Sequence, residues 1–107
     1  VVRVCTADLA APSAATYDVE AWMPGQNQYR ETHSTSNTTD FQARRLNIKL
    51  KRPGGSTEFV HMLNGTAFAI GRTLIAILEN YQTKDGTIKI PKVLHKYLPF
   101  NEIKPRK

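Results

Sequence analysis

Hydrophobic and polar positions change period several times along the chain. Val1 to Cys5 is a short β-type run, and Asp8 to Thr16, rich in Ala and Ser around Pro12, reads as a loop or a single turn. Tyr17 to Met23 alternates, with Tyr17, Val19, Ala21 and Met23 on one face and Asp18, Glu20 and Trp22 on the other. That is the period-two pattern of a strand, and Tyr17 and Trp22 are read as core. Pro24-Gly25 stops it as a turn pair, and Tyr29 to Ser34 is the returning strand. The polar run Ser34 to Thr38 is expected to be a solvated loop. Thr39-Asp40-Phe41-Gln42 has the T-x-x-Q form of a capping box, which predicts a helix through about Leu46. Leu46, Ile48 and Leu50 then alternate with Asn47, Lys49 and Lys51 as a half-exposed strand. Beyond the Pro53-Gly54-Gly55-Ser56 loop, Glu58 to Asn64 is apolar on both faces and is expected at the centre of a sheet.

Asn64 to Gln82 is the most informative stretch: a strand end, a Gly/Thr turn and an amphipathic helix. Ile70, Leu74, Ile77, Leu78 and Tyr81 form one stripe. The other side carries small residues, Ala69, Thr73 and Ala76, with Arg72 and Glu79 seven apart, so the helix is expected to pack on both sides. Arg72 falls in the first turn, where unpaired N–H groups favour an anion over a cation. Two readings follow and both stay open on helix physics: an anion pocket built with Gly71 and Thr66, or an ion pair with Glu79 or Glu31. Lys84-Asp85-Gly86 is a turn, Ile88-Lys89-Ile90 a short strand, and Pro91 opens a terminal helix with the stripe Val93, Leu94, Tyr97 and Leu98. Ile103 to Lys107 reads as a frayed, basic tail. Strands joined by short loops, with a late helix, predict an α+β fold: a mainly antiparallel sheet flanked by helices.

Composition narrows the setting. The 107 residues make one domain at most, 40% of them hydrophobic. Fifteen Lys and Arg against nine Asp and Glu give +6, which points weakly to an anionic partner. A single cysteine, Cys5, excludes an internal disulfide and suits a reducing compartment. No apolar run approaches the ~20 residues a membrane helix needs. The chain enters at Val1, without Met, as a piece of a larger protein would.

Candidate chemistry is sparse. His33, His61 and His95 lack paired metal-ligand spacing with Cys5, and His61 is read as a core histidine on a buried strand. G-T-A-F-A-I-G-R lacks the Lys and glycine spacing of a phosphate loop. The useful constellation is Glu20, Glu31, Ser34, Asn64, Thr66 and Arg72: if their strands neighbour each other, carboxylates, hydroxyls and a cation line one crevice. Such a crevice suits an amine and a phosphate together. Glu31 and Ser34, three apart, point to opposite faces of a regular strand, so the strand must bend there or one contact must use backbone. Arg44, Arg45, Lys49, Lys51 and Arg52 are read as a solvated strand face, since no aromatics are interleaved among them in sequence.

Three runs carry a resemblance. Y-D-V-E-A-W-M-P-G-Q, then Y-R-E-T-H-S-T-S-N-T-T-D-F-Q-A-R-R-L, then F-V-H-M-L-N-G-T-A-F-A-I-G-R-T-L-I-A-I-L-E-N-Y-Q closely resemble, in order, the C-terminal part of bacterial-type seryl-tRNA synthetases, which are class II aminoacyl-tRNA synthetases. The likeness covers Tyr17 to Gln82 and extends more loosely to both ends. The last run looks like motif 3, at about residues 58–82. Gly71 stands where most class II motifs have an acidic residue, as in the seryl branch.

The resemblance implies that serine and ATP react to seryl-adenylate, and that the seryl group then passes to the terminal ribose of tRNA(Ser). It implies an ATP-contacting stretch at Glu31, Thr32, His33 and Ser34, serine contacts from Thr66 with Asn64 beside it, and a phosphate-binding, catalytic Arg72. Mg2+ would accompany the triphosphate, near Glu31 and Ser34. Cytoplasmic location and a homodimeric parent follow from the family, with no membrane association. Motifs 1 and 2 and the tRNA-binding arm are expected upstream of Val1, so the isolated chain is expected to be inert and prone to association through exposed apolar surface. Two alternatives are carried: an inactive synthetase-like paralogue acting as a binding or regulatory module, and an unrelated small RNA-binding domain.

Overall fold

A computed structural model describes residues 1–106; Lys107, the end of the expected tail, lies outside the described residues. The chain divides into two compact units, one of residues 1–20 and 31–68, the other of residues 21–30 and those from 69 on. A four-stranded sheet has the order β1 (Val2–Arg3), β2 (Ala15–Met23), β3 (Gln28–Asn37), β6 (Leu63–Thr66). β1 runs antiparallel to β2, with Val2 opposite Asp18, and β3 antiparallel to β6, with Ser34 opposite Thr66 and Asn37 opposite Leu63.

In the first unit the buried positions are mostly threonines. Thr16, Thr32 and Thr38 are buried, with Ala43. A threonine buried in a sheet must satisfy its hydroxyl, and each does so. The Thr16 and Ser36 hydroxyls meet at 2.7 Å, Thr32 donates to the Val19 carbonyl at 3.0 Å, and Thr38 donates to the Met62 carbonyl at 2.9 Å. These bonds explain why the run expected as a solvated loop, Ser34 to Thr38, is instead strand through Asn37 and core at Thr38: its hydroxyls crosslink neighbouring segments.

The covered side of β2 changes along the strand, and Met23 at its end is fully buried. Tyr17 and Val19 are exposed, while Thr16 is buried and Asp18 and Glu20 are half-covered. Tyr17 and Trp22 are therefore surface residues. Glu58 to Asn64 is not one central strand either. It splits into β5 (Thr57–Phe59), paired with β4 (Lys49–Lys51) in a separate ribbon, and β6, the last strand in the four-stranded order and exposed along its length. Between them His61 is exposed and outside any strand, which corrects its reading as a core histidine.

Helix α1 (Phe41–Leu46) forms where expected and takes Leu46 with it. The capping box does not form: Asp40 is the N-cap with no side-chain cap bond, and Thr39 has a positive φ of 47°. Asn47, at φ 54°, closes the C-terminus through its N–H to the Ala43 and Arg44 carbonyls, a left-handed position that asparagine tolerates.

In the second unit, α2 (Ile70–Asn80) follows the predicted helix. It does not bury both sides. No residue in it is buried; Ala76 and Ile77 are partly covered, whereas Ile70 and Leu74 are 73% and 53% exposed. The helix is tied to the β2–β3 turn of its own unit. The Glu79 carboxylate accepts the Gly25 N–H at 2.9 Å, and Asn80 Nδ2 donates to the Trp22 carbonyl at 2.8 Å. A second ribbon pairs β7 (Ile88–Lys89) with β8 (Glu102–Ile103), so Ile103 is strand and not frayed tail. Pro91 precedes only a 3-10 turn, Lys92–Leu94, in place of the expected helix.

Candidate functional site

In the first unit the pairing of β3 with β6 assembles a polar surface. Directly opposite residues of an antiparallel pair share a face, so Ser34 lies with Thr66 and Ser36 with Asn64. The Thr16–Ser36 hydroxyl contact puts the even-numbered side of β2 on that same face, which adds Asp18 and Glu20. Glu20, Ser34, Asn64 and Thr66 are thus brought to one face of one sheet. Asn64 and Thr66 are exposed, and Glu20 and Ser34 half-buried. Asp18, which sequence reasoning assigned only to the outer face, has one buried carboxylate oxygen without a hydrogen-bond partner. The signal for it was the strict alternation of β2, once the covered side is known.

The Glu31-Thr32-His33-Ser34 stretch sits mid-way along β3. Thr32 Oγ1 reaches His33 Nδ1 at 2.8 Å as well as the Val19 carbonyl. Because a hydroxyl donates one hydrogen, the bond to Val19 makes His33 Nδ1–H the donor in the second contact, leaving Nε2 of the neutral ring as an acceptor. A regular pleat does not bring side chains of consecutive residues to 2.8 Å, and this contact falls inside the Glu31–Ser34 interval. The His33 ring also packs on Phe68, with centroids 4.6 Å apart.

Gly65 is the position that sequence reading passed over. A Cβ there would stand 3.1 Å from the Ser34 carbonyl oxygen and 3.4 Å from Thr35 Oγ1. Glycine therefore lets β6 close on β3 and holds Thr66 against Ser34.

In the second unit, Arg72 is the third residue of α2. The first turn has no acidic residue and no side-chain cap from Ala69. Arg72 is exposed there, beside the N–H groups of the first turn. Among the described residues no group of three or more His, Cys, Asp or Glu is arranged to hold a metal ion.

The family described as the tRNA synthetase class II core domain (G, H, P, S and T) matches residues 1–81, and the chain belongs to it. Within that class it is similar to serine–tRNA ligases. It is 61% identical, over its whole length, to the serine–tRNA ligase of Dictyoglomus thermophilum and 57% identical over 106 residues to that of Pyrococcus abyssi. It covers 25% and 23% of those proteins, so the chain spans about a quarter of the length of the curated relatives it matches. Among solved structures, seryl-tRNA synthetase from Pyrococcus horikoshii complexed with ATP superposes with a TM-score of 0.91 at 54% identity, over 98% of this chain and 24% of that one. The cytoplasmic serine–tRNA ligase of Naegleria fowleri in complex with AMP gives 0.85 at 43% identity, over 98% and 26%. The α+β expectation agrees with these neighbours, and the family match sets aside an unrelated RNA-binding domain. No described helix is long and apolar enough to cross a membrane.

Proposed function

We propose that this chain is the motif 3 portion, with motif 3 at about residues 58–82, of the catalytic domain of a serine–tRNA ligase. The whole protein would activate L-serine with ATP and transfer it to the 3′ end of tRNA(Ser) in the cytoplasm, as a homodimer. The observation that carries this reading is the Ser34–Thr66 register on a face shared with Glu20 and Asn64.

On this reading Thr66 and Asn64 receive the serine, with hydroxyl and amide groups suited to its side-chain hydroxyl. Glu20, the carboxylate on their face, suits its ammonium group. Glu31 to Ser34 faces the nucleotide, His33 Nε2 offering an acceptor. Arg72, in the first turn of α2, receives phosphate charge. The serine carboxylate attacks the α-phosphorus, the bond to the β-phosphate oxygen breaks, and pyrophosphate leaves. These residues contribute in-line positioning and charge stabilisation, with no covalent intermediate.

Glu31 and Ser34 are the oxygen donors that would hold Mg2+ together with the triphosphate. One carboxylate is enough where phosphates supply the rest of the shell, and reaching one ion from both residues would take a bend in β3 or a backbone contact at one of them. When bound, the ion neutralises triphosphate charge.

The test is pyrophosphate exchange by the full-length protein carrying this chain. Exchange that requires serine and is not supported by threonine or alanine is expected, with none from the 107 residues by themselves. Absence of serine-dependent exchange in the full-length protein overturns the reading in favour of an inactive, synthetase-like binding module.

A further inference from the structure

The cations read from sequence as a plain solvated face are organised by two aromatic rings. Arg44 and Lys49 both lie over Phe59, at 4.7 and 4.9 Å from its centroid, and Arg45 lies over Phe41 at 3.6 Å. The β4–β5 register explains half of this: Lys49 stands opposite Phe59 and Lys51 opposite Thr57, so both lysines share the face of the ring. Helix α1 supplies the two arginines.

Two of these cations are offset by carboxylates. Asp40 accepts from Arg44 Nε at 2.7 Å, and Glu58 from Arg52 Nε at 2.9 Å. Arg45, Lys49 and Lys51 have no carboxylate partner among the described residues. Residues 40–59 therefore leave a surplus of three positive charges, half of the formal +6, and Arg45, Lys49 and Lys51 are all exposed.

Holding like charges this close costs energy. Arg44 and Lys49 on one ring are no more than about 10 Å apart, roughly a Debye length at 0.1 M salt. Ring contacts favour the cations, but they also fix long side chains that would otherwise spread apart. A row of fixed, unneutralised cations is matched by a polyanion whose charges repeat along a backbone. Nothing in the patch reads bases: the rings lie under cations and do not stand free for stacking.

We propose that α1 and the β4–β5 ribbon form a contact surface for the phosphate backbone of RNA, with Arg45, Lys49 and Lys51 as the phosphate-binding cations. The proposal rests on the synthetase reading for the identity of the RNA as tRNA. The contact is indifferent to sequence and adds affinity away from the residues assigned to serine and ATP.

The experiment compares the full-length protein with its Arg45→Gln/Lys49→Gln/Lys51→Gln variant. The expected result is a KM for tRNA raised about tenfold with kcat unchanged and serine-dependent pyrophosphate exchange unchanged. The log–log salt slope for binding a generic RNA duplex should fall by roughly two to three, one for each lost phosphate contact. An unaltered slope and KM overturn the proposal, as does equal weakening of binding to anionic phospholipid vesicles, which would assign the surface to a membrane. If exchange is absent from the unsubstituted protein, the synthetase reading fails. The duplex slope then still decides whether the surface binds RNA.

Discussion

Ser34 and Thr66 face each other across the β3–β6 pair, and Gly65 beside Thr66 is what lets the two strands meet there. A methyl group at residue 65 would press on the Ser34 carbonyl at 3.1 Å, a backbone atom with little room to yield. Gly65→Ala is therefore expected to destabilise by about 1 kcal/mol, in the range for overpacking, read as a lower urea midpoint with unchanged m. In the full-length protein the same variant should raise KM for serine several-fold, because Thr66 moves with β6. A variant as stable as the parent, with unaltered KM, would show that the close approach is unimportant.

Thr38 links two segments through one carbonyl. Its N–H and its hydroxyl both reach Met62 O, at 3.0 and 2.9 Å, and the residue is 1% exposed. Thr38→Val keeps the volume and loses the hydroxyl bond, so a loss of about 1 kcal/mol is expected. Thr38→Ala adds a cavity and should cost roughly 2 kcal/mol in denaturant titration.

The Glu79–Gly25 bond predicts a coupled pair. Glu79→Ala removes the acceptor of the Gly25 N–H and is expected to cost about 1 kcal/mol. A Cβ on residue 25 would meet Glu79 Oε1 at 2.9 Å and displace the carboxylate, so Gly25→Ala should break the same bond. The double variant should then lose less than the two single losses added together. Strict additivity in a double-mutant cycle would refute this.

Asp85 sets an acid limb on the stability of its turn. Hydroxyl bonds from Thr83 and Thr87 hold its carboxyl below the ordinary 3.8. A carboxyl depressed in the folded state contributes stability that is complete above its unfolded pKa and is lost as pH falls through the folded one. Stability should therefore decline from just under pH 4 downward, and Asp85→Asn should lower stability in the neutral region and flatten that acid limb, the two curves converging at low pH.

Arg72 separates charge from geometry. Arg72→Lys keeps a cation at the start of α2 but loses the planar fork that binds two phosphate oxygens. Pyrophosphate exchange by the full-length protein is expected to fall at least 100-fold, comparable to loss of a transition-state donor. Near-normal exchange would remove Arg72 from the catalytic set.

The elements were largely legible in the sequence; which side of each is covered was not. Alternation marked β2 correctly, yet Tyr17 and Val19 on its apolar side are exposed while Met23 on that side is fully buried, because period two states that faces differ and not which one is covered at each point. The Ser34–Thr38 run was opaque for a related reason: hydroxyl residues suit loops until neighbours accept their hydrogens, and those neighbours, Thr16 and Met62, are distant in the chain. Glu58 to Asn64 misled because an apolar run carries no mark of where pairing changes partner. The grouping of Ser34, Asn64 and Thr66 was legible in the sequence, and the strand register brings them to one face. Gly65 and Asp18 were visible only once a register and a covered face were known.

The β4–β5 ribbon turns through Gly54 and Gly55, at φ 99° and 94°, with nothing within 4 Å of where a side chain would stand. An inserted peptide there would displace no neighbour and would leave Lys49, Lys51 and Phe59 in their present register. That tip is consequently where a fluorophore or affinity tag can be carried without disturbing β3 and β6.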